Sequence, residues 1–179
     1  MSSSINFKNI LVVGVGLIGG SIIRALKESS FYGGVYGIDS DKSAVTSAYD
    51  LGFIQNKDTN FSKDLDDLLV IFSVPVLSIQ EAMSQINLMI NTENVIYTDT
   101  LSVKSSILNT LKVLDKTVLK RFVLSHPIAG SEQSGFKASS ATLFKEKLSI
   151  VCPHEDNSEL DVSKIEDFWK ALGSYTKKL

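Results

Sequence analysis

The feature that most constrains this chain is the glycine-rich segment Gly14-Val-Gly-Leu-Ile-Gly19, which has the pattern G-x-G-x-x-G. It follows the apolar run 10–13 and opens a segment of helical length. The first glycine permits a tight turn, the second lets the backbone approach a pyrophosphate, and the third allows close packing of helix on strand. We therefore predict a βαβ unit that binds a dinucleotide at the helix start, through Gly14, Gly16, Leu17, Ile18 and Gly19. The alternative is a glycine turn with a purely structural role.

Short apolar runs alternate with longer amphipathic segments along the whole chain. The runs have the composition of strands buried on both faces, which favours parallel pairing, and they lie at 10–13, 34–38, 69–73, 94–98, 122–125 and 148–152. Helices are expected at 17–28, 42–51, 78–90, 103–114 and 157–172. This alternation predicts an α/β fold of the Rossmann type, with a doubly wound, mainly parallel sheet. No repeat or linker divides the chain, so we expect one domain.

Composition excludes several classes of partner. With 18 Lys and Arg against 20 Asp and Glu, the net charge of −2 gives no electrostatic reason to bind nucleic acid or an anionic membrane. The apolar stretch 10–23 is shorter than the roughly 20 residues of a membrane span. The single cysteine, Cys152, can form neither an internal disulfide nor a cysteine cluster for a metal, which fits a reducing compartment. We expect a cytoplasmic protein without a metal site.

Asp39 ends the second predicted strand, at the position that selects the cofactor in this kind of βαβ unit. A carboxylate there accepts hydrogen bonds from the adenosine ribose hydroxyls and repels a 2′-phosphate. NAD is therefore favoured over NADP. NADP stays open as an alternative, because Ser40 and Lys42 are close enough to bind a phosphate if Asp39 turns away.

Three further strand exits carry polar residues at the carboxyl edge, where open parallel sheets bind their ligands. The loop at Ser73 and Pro75 either passes the cofactor, mainly with backbone contacts, or simply ends its strand. The other two exits are the segments 99–104 and 125–135. His126 directly follows a strand and is thereby presented to the cleft, whereas His154 lies in a polar turn and is expected to be exposed to solvent.

These segments resemble the prephenate and arogenate dehydrogenases of tyrosine biosynthesis. The resemblance rests on residues 13–21, on 99–104 and above all on 126–135, and it extends from about Asn9 to about Tyr175. It implies NAD-dependent oxidation of the C4 hydroxyl of a small cyclohexadienyl substrate, prephenate or arogenate, followed by loss of CO2. In the family, the histidine that matches His126 bonds the substrate hydroxyl and takes up its proton, a task suited to imidazole.

The resemblance also implies roles for Ser102 and Glu132. Ser102 would orient His126 and the nicotinamide, or it would cap the helix that follows, or both. Glu132 would lie near the substrate side chain and influence which substrate is accepted, or it would be a solvated loop charge. Lys104 could be a surface residue of the first helical turn. Leu101 replaces a residue that is usually small in the family, and it either crowds the nicotinamide or points into the core.

Members of the family ordinarily continue into a helical domain that forms the dimer and supplies an arginine for a substrate carboxylate. No residue before Leu179 matches that arginine. We therefore expect residues 1–179 to be the NAD-binding domain alone, with little or no turnover, and the full-length protein to be a homodimer. Two alternatives stay open: a free-standing NAD-binding module without catalysis, and another Rossmann oxidoreductase of the β-hydroxyacid dehydrogenase type.

Overall fold

The computed structural model describes residues 4–59, 61–91, 94–113 and 116–179, with the backbone alone at 106, 112 and 113. Strands and helices alternate over most of this part of the chain, as the periodicity predicts. In chain order they are β1 (Asn9–Val13), α1 (Leu17–Glu28), β2 (Gly34–Ile38), α2 (Lys42–Asp50), β3 (Leu68–Phe72), α3 (Ile79–Met89), β4 (Val95–Asp99), α4 (Lys104–Val113), α5 (Lys116–Arg121), β5 (Leu124–Pro127), β6 (Leu148–Cys152), α6 (Glu159–Ala171) and β7 (Tyr175–Lys178).

The first four strands form a parallel sheet in the order β2-β1-β3-β4. Their carboxyl ends are in register, because Val13 pairs with both Ile38 and Phe72, and Phe72 pairs with Asp99. The segments that follow these strands therefore leave the sheet along one edge. That edge carries the glycine turn and the polar strand exits singled out in the sequence.

The last three strands form a second ladder in the order β5-β6-β7. The segment before β5 continues the first sheet, since the Val123 N–H donates to the Tyr97 carbonyl at 2.9 Å. The strands are mainly parallel, as predicted, and the exception is β6, which is antiparallel to β5 and parallel to β7. The segment that connects β5 to β6 contains only a short 3-10 turn at Phe136–Ala138, not the helix of a βαβ crossover.

Helices cover both faces of the sheet, which confirms the doubly wound α/β fold. The two faces show most clearly in β1, where successive side chains enter different cores. Ile10 and Val12 pack in a cluster with residues of α1, α2 and α6, whereas Leu11 and Val13 pack in a cluster with residues of α3 and α4. In the described part of the chain, no helix combines the length and hydropathy that a membrane span requires.

Several predicted boundaries shift. The strand predicted at 122–125 is observed at Leu124–Pro127, so Pro127 ends that strand instead of following it. The strands β2 and β6 are buried at alternate residues, not on both faces. Helix α5 and strand β7 were not predicted from the sequence. Leu114, the expected last residue of α4, lies outside the described residues.

Candidate active site at the carboxyl edge of the sheet

Two glycines of the turn after β1 are required by the fold itself. Gly14 has a φ of +96°, a conformation that side chains disfavour, and a Cβ on it would lie 2.4 Å from the Ser73 carbonyl oxygen. A Cβ on Gly19 would lie 1.8 Å from the carbonyl oxygen of Gly14. The turn can therefore approach β3, and α1 can approach the turn, only because both positions lack a side chain.

Gly16 differs from these two because the space beside it is open. A Cβ there would meet no heavy atom within 4 Å, apart from its neighbours in the chain. Gly16 is also the N-cap of α1, and no side chain caps this helix start. Leu17 and Ile18, the first residues of α1, are half-buried. The free N–H groups and the positive end of the helix dipole suit an anion such as a pyrophosphate.

Asp39 lies beside the turn, directly after β2. One carboxylate oxygen accepts a hydrogen bond from the backbone N–H of Val15 at 2.6 Å. The other accepts from the backbone N–H of Asp41 at 2.8 Å. Asp39 therefore faces the glycine turn. The alternative arrangement, in which Asp39 turns away and a 2′-phosphate binds near Lys42, is not observed. Lys42 is exposed at the start of α2.

A cleft of about 390 Å³ joins these elements. Most of the residues predicted to bind the cofactor line this cleft: Gly14, Gly16, Asp39, Ser73 and Pro75. Leu17, Ile18 and Gly19 lie in α1 next to it, and Ser102 does not line it. The opposite wall of the cleft was not predicted, and α3 provides it through Glu81, Ala82 and Gln85. The signal for that wall was the position of the predicted helix directly after the Pro75 exit.

His126 lies at the end of β5 and is half-buried. Its Nδ1 lies 3.1 Å from the carbonyl oxygen of Thr100. Because a carbonyl can only accept, Nδ1 donates, and the neutral ring keeps a free lone pair on Nε2. The Thr100 hydroxyl in turn donates to the Ser73 hydroxyl at 3.1 Å, and Ser73 lines the cleft. His126 lies within its strand and does not itself line the cleft, contrary to the prediction, but these hydrogen bonds connect it to the cleft wall.

A buried ion pair lies behind His126. Asp99, which is fully buried, accepts hydrogen bonds from the Lys104 ammonium, from the Leu101 N–H at 3.0 Å and from the Ser125 N–H at 3.2 Å. Lys104 also donates to the Ser125 carbonyl. Burial raises the pKa of the Asp99 carboxyl against the opposing effect of the ammonium, and burial lowers the pKa of Lys104. The interpretation of Lys104 as a surface residue is wrong, because only 17% of its side chain is exposed.

The other candidate residues lie along the same edge with different exposure. Ser102 is exposed and lies two residues before α4, which begins at Lys104 and not at Val103 as predicted. Leu101 is half-buried and packs against the core, in agreement with the second of the two alternatives for it. Glu132 is exposed in the loop that follows β5.

His154 does not have the predicted exposure. Only 13% of its side chain is exposed, and its Nε2 donates to the Phe122 carbonyl at 3.1 Å. The same carbonyl accepts from the Asn157 side-chain amide at 3.1 Å. The turn is polar in sequence, but two of its side chains fold back onto the segment that leads into β5 and bond a backbone carbonyl there.

Comparison with known proteins agrees with this geometry. The family model described as "Prephenate dehydrogenase, nucleotide-binding domain" matches residues 22–177. This chain belongs to that family. The cyclohexadienyl dehydrogenase of Zymomonas mobilis is 32% identical over 172 residues, which are 93% of this chain and 56% of that protein. The prephenate dehydrogenase of Bacillus subtilis is 27% identical over 169 residues, 93% of this chain and 45% of that one.

The fold of this nucleotide-binding domain also matches solved structures. The prephenate dehydrogenase of Aquifex aeolicus, in complex with hydroxyphenyl propionate and NAD+, superposes with a TM-score of 0.86 at 30% sequence identity. The superposition covers 98% of this chain and 61% of that one. The chain therefore spans only about half the length of its sequence relatives.

Proposed function

We propose that this chain is the NAD-binding domain, over residues 1–179, of an enzyme that oxidatively decarboxylates prephenate or arogenate. The observation that carries the proposal is the donation from His126 Nδ1 to the Thr100 carbonyl, which makes Nε2 the unprotonated nitrogen of the neutral ring. His126 lies at the sheet edge that holds the cleft. Membership of the prephenate dehydrogenase family supports the same reaction class.

The residues of the cleft fit NAD. The open space at Gly16 and the uncapped start of α1 suit the pyrophosphate, and the Asp39 carboxylate suits the ribose hydroxyls of the adenosine. A 2′-phosphate would meet the negative charge of Asp39, so NAD is preferred to NADP. When bound, NAD supplies the acceptor for the hydride.

His126 acts as the general base in this proposal. The substrate hydroxyl donates to Nε2, and its proton moves to Nε2 as the hydride leaves the carbon that bears the oxygen. The ring that becomes positive keeps its Nδ1 hydrogen bond to the Thr100 carbonyl, which stabilises the added charge. Loss of CO2 from the oxidised substrate then makes the ring aromatic.

Ser102 and Glu132 have supporting roles in the proposal. Ser102 lies on the segment between β4 and α4 and is exposed at this edge, where its hydroxyl helps to orient the nicotinamide and His126. Glu132, on the loop after β5, contacts the substrate side chain and influences the choice between a keto group and an amine. The half-length match to the relatives is consistent with a further domain in the full-length protein. In the proposal that domain is helical and forms a homodimer.

The test has two steps. Calorimetry of this chain with NAD and with NADP measures cofactor binding. NADH formation with prephenate or arogenate measures turnover in the full-length protein, because residues 1–179 alone are expected to turn over little or not at all. Binding of NAD with turnover of either substrate supports the proposal. Binding without turnover of either favours the free-standing module, and absence of NAD binding refutes the cofactor assignment.

A further inference from the structure

We propose that the buried Asp99–Lys104 pair positions His126 and holds its neutral ring in the Nδ1–H form. The inference deepens the proposed function, because it rests on His126 as the base that uses Nε2. Asp99 and Lys104 are positioning residues here, since neither lines the cleft.

The first contact concerns the peptide group between Thr100 and Leu101. Its N–H donates to Asp99 Oδ2 at 3.0 Å, and its carbonyl accepts from His126 Nδ1 at 3.1 Å. The N–H and the carbonyl of this one planar peptide group are therefore both hydrogen-bonded. Asp99 sets the orientation of this plane and with it the direction in which the carbonyl meets the imidazole.

The second contact concerns the backbone that carries His126. The Ser125 N–H donates to Asp99 Oδ1 at 3.2 Å, and the Ser125 carbonyl accepts from the Lys104 ammonium. That carbonyl belongs to the peptide group that joins Ser125 to His126. The same ion pair thus fixes both the acceptor of the imidazole proton and the backbone from which the imidazole projects.

Burial argues that this pair does more than stabilise the fold. Asp99 is fully buried and Lys104 is largely so. Removing two charges from water costs several kcal/mol per ion, and apolar residues of similar size often stabilise a fold equally well. What apolar residues cannot supply is the hydrogen bonds to the two peptide groups beside His126.

The test uses NMR of this chain, which contains only two histidines, His126 and His154. The ¹⁵N shifts of each ring report its tautomer. In the wild type we expect neutral His126 to be in the Nδ1–H form, and an Nε2–H form there would overturn the proposal. This readout needs no turnover, so its failure is distinct from a failure of the proposed reaction.

The variants are Lys104→Met and the charge-balanced pair Asp99→Asn with Lys104→Met. In both we expect the ratio of Nδ1–H to Nε2–H at His126 to fall by roughly two- to tenfold, the range for one lost hydrogen bond. His154 is the internal control and should keep its tautomer. Lys164→Met is the matched control. It removes a different ion pair, in which Lys164 Nζ lies 3.1 Å from Asp67 Oδ1, and that pair is not at this edge.

Each result has a defined meaning. A folded Lys104→Met variant whose His126 tautomer equals that of the wild type overturns the proposal. If both Lys104 variants fail to fold while Lys164→Met folds, the pair serves folding and the positioning role is also overturned. A shift at His126 alone supports it.

Discussion

The Asp39 carboxylate lies 2.6 Å from the backbone nitrogen of Val15, and this hydrogen bond joins the end of β2 to the glycine turn after β1. The side chain is therefore fixed at the cleft by the protein before any ligand arrives. A fixed carboxylate binds ribose hydroxyls with little loss of side-chain entropy.

Replacement of Asp39 by Asn should weaken NAD binding by about tenfold, because hydrogen bonds to a charged acceptor are stronger than those to a neutral one. The preference for NAD over NADP should narrow, since the charge that repels a 2′-phosphate is gone. Calorimetry with both cofactors measures this. Asp41→Asn is the control, as it removes a charge nearby and keeps a good helix cap. An equal loss of NAD affinity in Asp39→Asn and Asp41→Asn would contradict the assignment of Asp39 to the ribose hydroxyls.

The glycines at 16 and 19 should respond differently to alanine. Gly16→Ala should fold with a thermal midpoint close to that of the wild type, because nothing lies within 4 Å of the new methyl group. Its NAD affinity should fall at least about tenfold, since the methyl group occupies the space proposed for the pyrophosphate. Gly19→Ala should instead lower stability, because its Cβ would lie 1.8 Å from the Gly14 oxygen. Thermal unfolding with and without NAD separates the two effects.

The indole of Trp169 donates to the Ser125 hydroxyl at 3.0 Å and thereby ties α6 to the strand that carries His126. Trp169→Phe should lower the free energy of unfolding by about 1–3 kcal/mol, through the lost hydrogen bond and the reduced packing. Urea unfolding of this variant, of Ser125→Ala and of the double variant gives the coupling energy between the two side chains. Strict additivity would show that the hydrogen bond contributes nothing.

Asp41 caps α2 and should make that helix sensitive to acid. The Ser43 hydroxyl and N–H, at 2.6 and 2.9 Å, hold the pKa of Asp41 below its usual value. A carboxyl with a lowered pKa in the folded state stabilises the fold above its unfolded pKa, and this contribution is lost as pH falls through the folded pKa. The thermal midpoint of the wild type should therefore drop, relative to Asp41→Asn, between about pH 5 and pH 2. A difference in thermal midpoint between the wild type and Asp41→Asn that stays constant over this pH range would contradict the prediction.

The sequence predicted the features that depend on local pattern. The glycine turn, the acidic residue after β2 and the alternation of strands and helices each follow from residue type and spacing. The direction of β6 was not predictable in this way, because a buried apolar run does not specify the direction of its neighbour. Pairing is set by the connecting segment, which here contains only a short 3-10 turn.

The burial of Lys104 was missed for a related reason. A lysine in the first turn of a helix is normally solvated, and only tertiary structure brings it against Asp99 and the Ser125 carbonyl. One feature of the sequence pointed to the burial of Lys104. Asp99 lies five residues earlier, at the end of β4, whose other residues are mostly apolar. His154 was missed in the same way, because its partner is a backbone carbonyl of a distant segment.

The replacement His126→Asn tests the proposed base most directly. Asparagine can still donate to the Thr100 carbonyl but has no group that takes up a proton, so the rate of substrate oxidation should fall by about 10²- to 10⁴-fold. NAD affinity should stay within about twofold, because His126 does not line the cleft. The assay is prephenate- or arogenate-dependent NADH formation, in any preparation of the protein that turns over, together with calorimetry for NAD. His154→Asn is the matched control. His154 bonds the Phe122 carbonyl, so its replacement should leave the rate of substrate oxidation unchanged. An undiminished rate in His126→Asn would exclude this residue as the base.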